Sequence, residues 1–270
     1  MTVLARFALQ EAIRRRVFTV VALLTAAFLL LYGLGVWQAF KIANNLGSGF
    51  AGVDPVIVTG ATMFGLAMFG TLFLGVVLAV FLTLGAIRGD ADRGLLQPLL
   101  VRPVSRRTLL TARLVSSGGV AGAYVVAVYV AAMLETGIIG GWWPDRLVSP
   151  AIGLALGVVI VCALSLAGSV VLASTANGIA IFMAFGAGLT AGLLGQIGRA
   201  LNSGTLTDVA DLTSYLLPFE ALYQGALSSL TADTVGFTRF ALQLGPLGGA
   251  HEAGVGLWLW ALAYLALVAA

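Results

Sequence analysis

Few side chains in this sequence are of the types that catalysis or metal binding needs. The chain has one histidine, His251, one lysine, Lys41, and one cysteine, Cys162, which lies in an apolar run. A structural zinc site needs several Cys or His ligands, and a P-loop needs its lysine after a glycine-rich turn. Lys41 lies instead in the run FKIANN. The sequence therefore predicts no metal site, no ATP-binding P-loop and no internal disulfide.

The arginines are grouped rather than scattered. Ten of them fall in two short clusters beside long apolar stretches: Arg6, Arg14, Arg15, Arg16, Arg88, Arg93, Arg102, Arg106, Arg107 and Arg113. A formal net charge of +3 is compatible with nucleic-acid binding. Arginine clusters that flank apolar spans are more typical of membrane orientation. We therefore expect contact with membrane lipids and no nucleic-acid partner.

The composition indicates that lipid is the solvent. Hydrophobic residues make up 60% of the 270, and charged residues only 9%, against about 25% in soluble domains. A helix needs about 20 apolar residues to cross the hydrocarbon core. Because the runs lack strand alternation, we predict one all-α polytopic domain over 1–270, with six transmembrane helices at 17–40, 57–87, 109–136, 151–174, 178–196 and 255–270.

The positive-inside rule gives the orientation of these spans. The cluster at 14–16 places the N-terminus in the cytoplasm, and the connection at 88–108 falls on the same side after two crossings. Six crossings return the C-terminus to the cytoplasm. Residues 1–16 are predicted to form an amphipathic helix on the inner leaflet of the cell inner membrane. The second predicted span is too long for a simple crossing, so we expect it to tilt or to extend beyond the bilayer.

The cytoplasmic connection is the most informative segment. Acidic and basic residues alternate at its start, and the leucines that follow fall on one helical face before the break at Arg102-Pro103. A short amphipathic element of this kind either rests on lipid headgroups or docks a cytosolic partner. The pattern alone favours neither.

This segment resembles the first cytoplasmic loop of ABC-2 type permeases, the membrane subunits of certain ABC transporters. The similarity lies in an acidic pair before Arg-Gly, a leucine-rich stretch, and an R-P-V-S-R junction at 102–106. The opening ALQEAIRRRVF is also similar, and so are the chain length and the long outer loop. The resemblance implies a type V exporter-like fold with a cytoplasmic coupling helix and short amphipathic or re-entrant outer helices.

The resemblance also implies partners and a division of labour. The chain would be a non-catalytic permease that pairs with a second permease copy and two ATP-binding subunits. ATP and Mg would bind those subunits, with no cofactor in this chain. The implied ATPase-coupling residues are Arg88, Asp90, Asp92, Arg93, Leu95, Leu96, Leu99, Arg102 and Arg106. Pro98 departs from the family pattern. Because proline inside a helix removes a hydrogen bond, the bounds of the implied coupling helix stay open.

The fifth span carries small residues at a spacing of four, which allows close helix packing in lipid. These include Ala184, Gly188 and Gly192. They either pack within one subunit or form a dimer seam beside the translocation path, as the family resemblance suggests. Phe64 and Met68 of span two either line that path or are ordinary core or lipid-facing residues.

The long outer loop, 199–251, contains one helical stripe after Pro218. Its apolar members are Phe219, Leu222, Tyr223, Ala226, Leu227 and Leu230, at helical spacing. We expect an amphipathic helix packed at the outer mouth that can dip into the membrane. Non-spanning structure at that depth must be enclosed by protein. Whether Asp211 or Glu220 contacts substrate is left open.

Two other function classes compete with an ATP-driven exporter. An ion-coupled secondary transporter usually has broken helices, repeats and charged residues at mid-depth. The only acidic residue within a predicted span is Glu135, near an outer end, where an interfacial position is expected. An intramembrane enzyme is disfavoured, because His251 has no evident serine partner. The scarcity of charge in the spans favours apolar or amphipathic cargo over ions.

Overall fold

The computed structural model describes residues 16–45, 53–84, 106–234, 238 and 254–269. These residues form helices and contain no strand, which confirms the all-α fold class. A short 3-10 turn at Ser229–Thr231 follows the seventh helix. The helices are α1 Arg16–Asn45, α2 Pro55–Thr83, α3 Arg106–Gly140, α4 Val148–Val171, α5 Ser174–Ala200, α6 Gly204–Leu216, α7 Pro218–Ser228 and α8 Val255–Ala269.

Five of these helices, α1 to α5, are long and apolar enough to cross a membrane. The described part of α8 has 15 residues. At a rise of about 1.5 Å per residue it is about 22 Å long, shorter than a hydrocarbon core of about 30 Å. The chain is therefore a multi-pass membrane protein, and the sixth crossing stays a prediction.

Most spanning helices extend beyond the apolar runs that predicted them. The third span was expected at 109–136 but α3 begins at Arg106 and ends at Gly140. Polar residues are tolerated where a helix leaves the hydrocarbon, so hydropathy marks only its apolar middle. α2 and α4 extend only at their starts, because they end at Thr83 and Val171, short of the predicted ends at 87 and 174. α2 is the longer of the two. Its 29 residues are about 44 Å long, still more than a hydrocarbon core of about 30 Å, so tilt or extension beyond the bilayer stays a prediction.

The start of α2 is fixed by local chemistry. The Asp54 carboxylate accepts hydrogen bonds from the backbone N–H groups of Val56 (2.9 Å) and Ile57 (3.4 Å). Pro55 takes the first helical position, where its missing N–H costs nothing. The backbone N–H of Asp54 donates to the Thr238 hydroxyl at 3.2 Å. The start of α2 is thereby connected to Thr238, after α7.

The core lies around α2 and α4, which are the most buried of the five spans. α2 packs against α1, α3 and α4, and its apolar residues continue around the whole helix. α1 is instead peripheral, with Leu23, Leu30 and Leu31 exposed. Because lipid tails are as apolar as leucine, these outward side chains incur no solvation penalty in a bilayer.

Gly75 lies where α2, α3 and α4 meet. A methyl group added at this position would collide with the side chain of Val125 and lie 2.9 Å from Cγ2 of Val158. Both valines are fully buried and have little space to move. The missing side chain therefore lets three spans approach one another closely.

Gly75→Ala is expected to lower the thermal unfolding midpoint of the detergent-solubilised protein, because overpacking a close contact costs about 1–3 kcal/mol. Gly35→Ala is the matched control, since no atom lies within 4 Å of its added methyl group. That variant should leave the midpoint unchanged or raise it slightly. Equal midpoints for the two variants would show that the three-helix contact does not constrain stability.

Candidate functional site

α6 and α7 form a re-entrant hairpin between the fifth span and the last helix. α6 runs back along α5, with Leu206 against Gly198 and Ala210 against Gly195. The chain then turns at Leu217-Pro218, and α7 returns along α4. The backbone carbonyl of Leu230 accepts a hydrogen bond from Asp145 N–H at 3.1 Å. This bond connects the end of the hairpin to the loop between α3 and α4.

The turn of this hairpin reaches the middle of α5. The ring of Phe219 lies against Gly188, where an added methyl group would be 2.5 Å away. Gly188 is twelve residues before Ala200, so the contact is about 18 Å along the helix from its end. On the opposite side, the Phe219 backbone faces Gly157 of α4. Two glycine surfaces therefore form the slot that admits α7.

The predicted amphipathic helix after Pro218 is confirmed. Every member of its apolar stripe is buried: Phe219, Leu222, Tyr223, Ala226, Leu227 and Leu230. Pro218 starts the helix at its first position, where proline is favoured. The backbone N–H of Leu217 donates to Thr213 at 2.8 Å, so the turn keeps its backbone paired at depth.

Aromatic rings connect the hairpin to α2 and α5. Phe219 stacks on Phe185, with ring centroids 5.4 Å apart. Phe185 meets Phe73 at 6.4 Å, and Tyr223 meets Phe69 at 6.3 Å. Phe73 and Phe69 are 44% and 38% exposed. The cluster therefore presents an aromatic surface near the level of the hairpin turn.

Phe64 and Met68, the α2 residues predicted to line a path, occupy a different position. Both are fully buried, and Phe64 packs against Tyr129 at 5.2 Å between ring centroids. They are core residues of the subunit in this conformation. The exposed face of α2 carries Phe69 and Phe73 instead. Whether Phe64 or Met68 contacts a path in another conformation stays a prediction.

The small residues predicted for the fifth span meet the hairpin. Gly188 contacts Phe219, and Gly192 faces the carboxylate of Glu220 within the same chain. Ala184 is partly buried. The glycines therefore serve packing within the subunit, one of the two alternatives raised by their spacing. The dimer seam stays a prediction.

A polar cluster lies next to these glycines. Glu220 and Gln224 are 5% and 7% exposed, and the Gln224 amide donates to the Glu220 carboxylate at 2.8 Å. With Arg199, Asp211 and Ser214 they line a cavity of about 30 Å³, the volume of one water molecule. The Gln224 side-chain oxygen has no hydrogen-bond partner within the described part of the chain. The cavity fits a water that would satisfy it.

Glu220 is a buried carboxylate that the analysis of predicted spans did not place in the membrane. It belongs to no span, but the hairpin carries it beside Gly192, about 12 Å along α5 from Ala200. The sequence signal was the four-residue spacing of Glu220 and Gln224, which places both on one face of α7.

A second polar cluster lies at the other end of the spans. The Thr83 hydroxyl, at the last residue of α2, donates to the Ser165 hydroxyl of α4 at 2.7 Å. Asn177 of α5 donates to the Ser165 backbone carbonyl at 2.9 Å. All three side chains are buried. The end of α2 is thus connected to α4 and α5 just before the arginine-rich segment.

Glu135 lies near the C-terminal end of α3, which ends at Gly140, and the assignment of this end to the outer side stays a prediction. It is partly exposed, and its carboxylate lies beside Gly33 of α1. The adjacent residue, Thr136, shares a 2.6 Å hydrogen bond with the hydroxyl of Tyr32. These contacts join the C-terminal halves of α1 and α3.

The predicted coupling residues fall outside the described ranges, with one partial exception. Arg106 begins α3, although its side chain is not among those described. The remaining predicted residues are Arg88, Asp90, Asp92, Arg93, Leu95, Leu96, Leu99 and Arg102. The predicted N-terminal amphipathic helix at 1–16 is described only at residue 16.

Gly192→Ala is expected to displace the hairpin, because the added methyl group would collide with the Glu220 carboxylate in its slot. The variant should lower the thermal unfolding midpoint of the detergent-solubilised chain by several degrees, as overpacking does. Gly186→Ala, on the same helix with no atom within 4 Å, is the control. An unchanged midpoint for Gly192→Ala would contradict a tightly packed hairpin.

The family assignment rests on a match over nearly the whole chain. A comparison with curated proteins gives no match. The family model described as "ABC-2 family transporter protein" matches residues 3–269. That span includes all the helices described above, the re-entrant hairpin and the arginine-rich segment between α2 and α3. The chain belongs to the ABC-2 family of transporter proteins, as the resemblance of its cytoplasmic segment predicted.

Proposed function

We propose that this ABC transporter permease forms an export path as a dimer and is driven by two separate ATP-binding subunits. The family match over residues 3–269 is the observation that carries the proposal. ATP and Mg bind the partner subunits, and this chain contributes no catalytic group. The working assembly lies in the cell inner membrane with both termini of the permease in the cytoplasm.

The ATPase contact is assigned to residues 88–106. This segment follows α2 and precedes α3, and its charges alternate before a leucine-rich stretch. Movement imposed there by the ATPase reaches α2 directly. The hydrogen bonds from Thr83 to Ser165 and from Asn177 to Ser165 then link that movement to α4 and α5. Because α4 and α5 enclose the hairpin, the hairpin moves with them.

The path is assigned to the aromatic surface between α2, α5 and α7. Phe69 and Phe73 are partly exposed and contact buried residues of the hairpin and of α5. A surface of this chemistry suits apolar or amphipathic cargo, since aromatic rings supply large apolar contact areas. Alternating access follows if ATP binding favours one of two positions of these helices.

The ATPase contact is tested by reversing charges at Asp90, Asp92 and Arg93 together. The triple reversal is expected to abolish co-purification of a P-loop ATPase from native membranes, because complementary charges fix such a contact. Asp208→Arg, an exposed charge on α6 at the opposite side, is the control. ATPase retention by the triple variant would rule out this contact. Absence of any ATPase from the wild-type complex, with the complex intact, would favour an ion-coupled transporter.

The path is tested by thiol labelling in a Cys162→Ser background. Phe73→Cys should react with a membrane-impermeant maleimide, and nucleotide trapping of the partner ATPase should change the rate severalfold. Leu262→Cys on α8, 54% exposed and placed toward lipid, is the control. It should stay unreactive in both states. Equal and nucleotide-independent labelling at both positions would remove α2 from the path.

A further inference from the structure

An apolar groove runs between α1 and α3 on the outside of the subunit. Its volume is about 380 Å³, and it is lined by Val21, Ala22, Thr25, Ala26, Leu29, Tyr124, Ala127, Val128 and Ala131. The small side chains of the alanines leave space between the two helices, so the groove is open along one side. At its floor the Thr25 and Tyr124 hydroxyls hydrogen-bond to each other. Both hydroxyl groups at the floor therefore have a hydrogen-bond partner in the protein and need no water.

The groove has the length of one leaflet. From Val21 to Leu29 is eight residues, or about 12 Å at 1.5 Å per residue. Half of a hydrocarbon core of about 30 Å is about 15 Å. The groove therefore matches the depth of a single acyl chain in the leaflet at the start of α1.

Arginines stand at the same end of both helices. α1 and α3 run in the same direction, because Thr25 contacts Tyr124 while Phe40, further along α1, contacts Gly140, further along α3. Arg16 precedes Thr25 by nine residues, about 14 Å, and Arg113 precedes Tyr124 by eleven, about 16 Å. Both positions therefore lie at one level below the groove, and Arg14 and Arg15 immediately precede Arg16 in the sequence.

We propose that this groove binds one anionic phospholipid, with an acyl chain between α1 and α3 and its phosphate at the level of Arg16 and Arg113. The basic end matches a negative headgroup, and basic pockets between helices on the cytoplasmic side bind such lipids. The apolar walls match the acyl chain. The site is separate from the aromatic surface and does not depend on the proposed transport function.

Lipid occupancy is measured by native mass spectrometry of the full chain from nanodiscs containing equal amounts of phosphatidylglycerol and phosphatidylcholine. The wild type should retain one phosphatidylglycerol per chain. Ala26→Leu with Ala127→Leu fills the groove from both walls and should reduce retention at least tenfold. The control pair, Ala27→Leu and Ala123→Leu, places the same side chains on exposed positions of the same helices outside the groove. It should retain lipid as the wild type does.

The headgroup is tested with Arg113→Gln. Loss of one basic group near the surface should lower the preference for phosphatidylglycerol over phosphatidylcholine about fivefold without changing total lipid retention. The proposal fails if the groove-filling and control pairs retain equal lipid. It also fails if Ala26→Cys, in the Cys162→Ser background, cross-links two chains, because a second permease copy would then cover the groove.

Discussion

In hydrocarbon, every backbone polar group must find its partner within the protein, and the structure depends on how α7 meets this constraint. A helix that enters the membrane without crossing it needs protein on all sides. Glycines on α4 and α5 provide that enclosure, because Gly157 and Gly188 leave room for Phe219 between two spans. The hairpin, the aromatic surface and the buried carboxylate all follow from this slot.

The enclosure also changes the cost of burying a carboxylate. Glu220 lies deep beside α5, where an unpaired charge would be expensive. It accepts a hydrogen bond from Gln224 and lines a cavity with Arg199, so its surroundings are polar although the spans are not. Such a cluster binds the hairpin to α5 more specifically than apolar packing does, because apolar contacts in lipid have little directional preference.

Polar contacts between spans are concentrated at particular levels. Thr83, Ser165 and Asn177 connect three helices at the side of the arginine-rich segment. Tyr32 and Thr136 connect α1 and α3 at the other side. Between these levels the Thr25 and Tyr124 hydroxyls also connect α1 to α3, and the other contacts are mainly apolar and depend on shape.

The sequence by itself determined the membrane class, the positions of five spans, the family and the amphipathic helix after Pro218. Long apolar runs and basic flanks are local signals, and the apolar stripe of α7 contrasts with polar Glu220 and Gln224. Only the tertiary structure decided that Phe64 is buried while Phe73 is exposed. Lipid and protein core are both apolar, so a spanning helix carries no stripe that tells its inner face from its outer one. The depth of Glu220 was likewise hidden, because it depends on how far α6 runs back along α5 before α7 packs between α4 and α5.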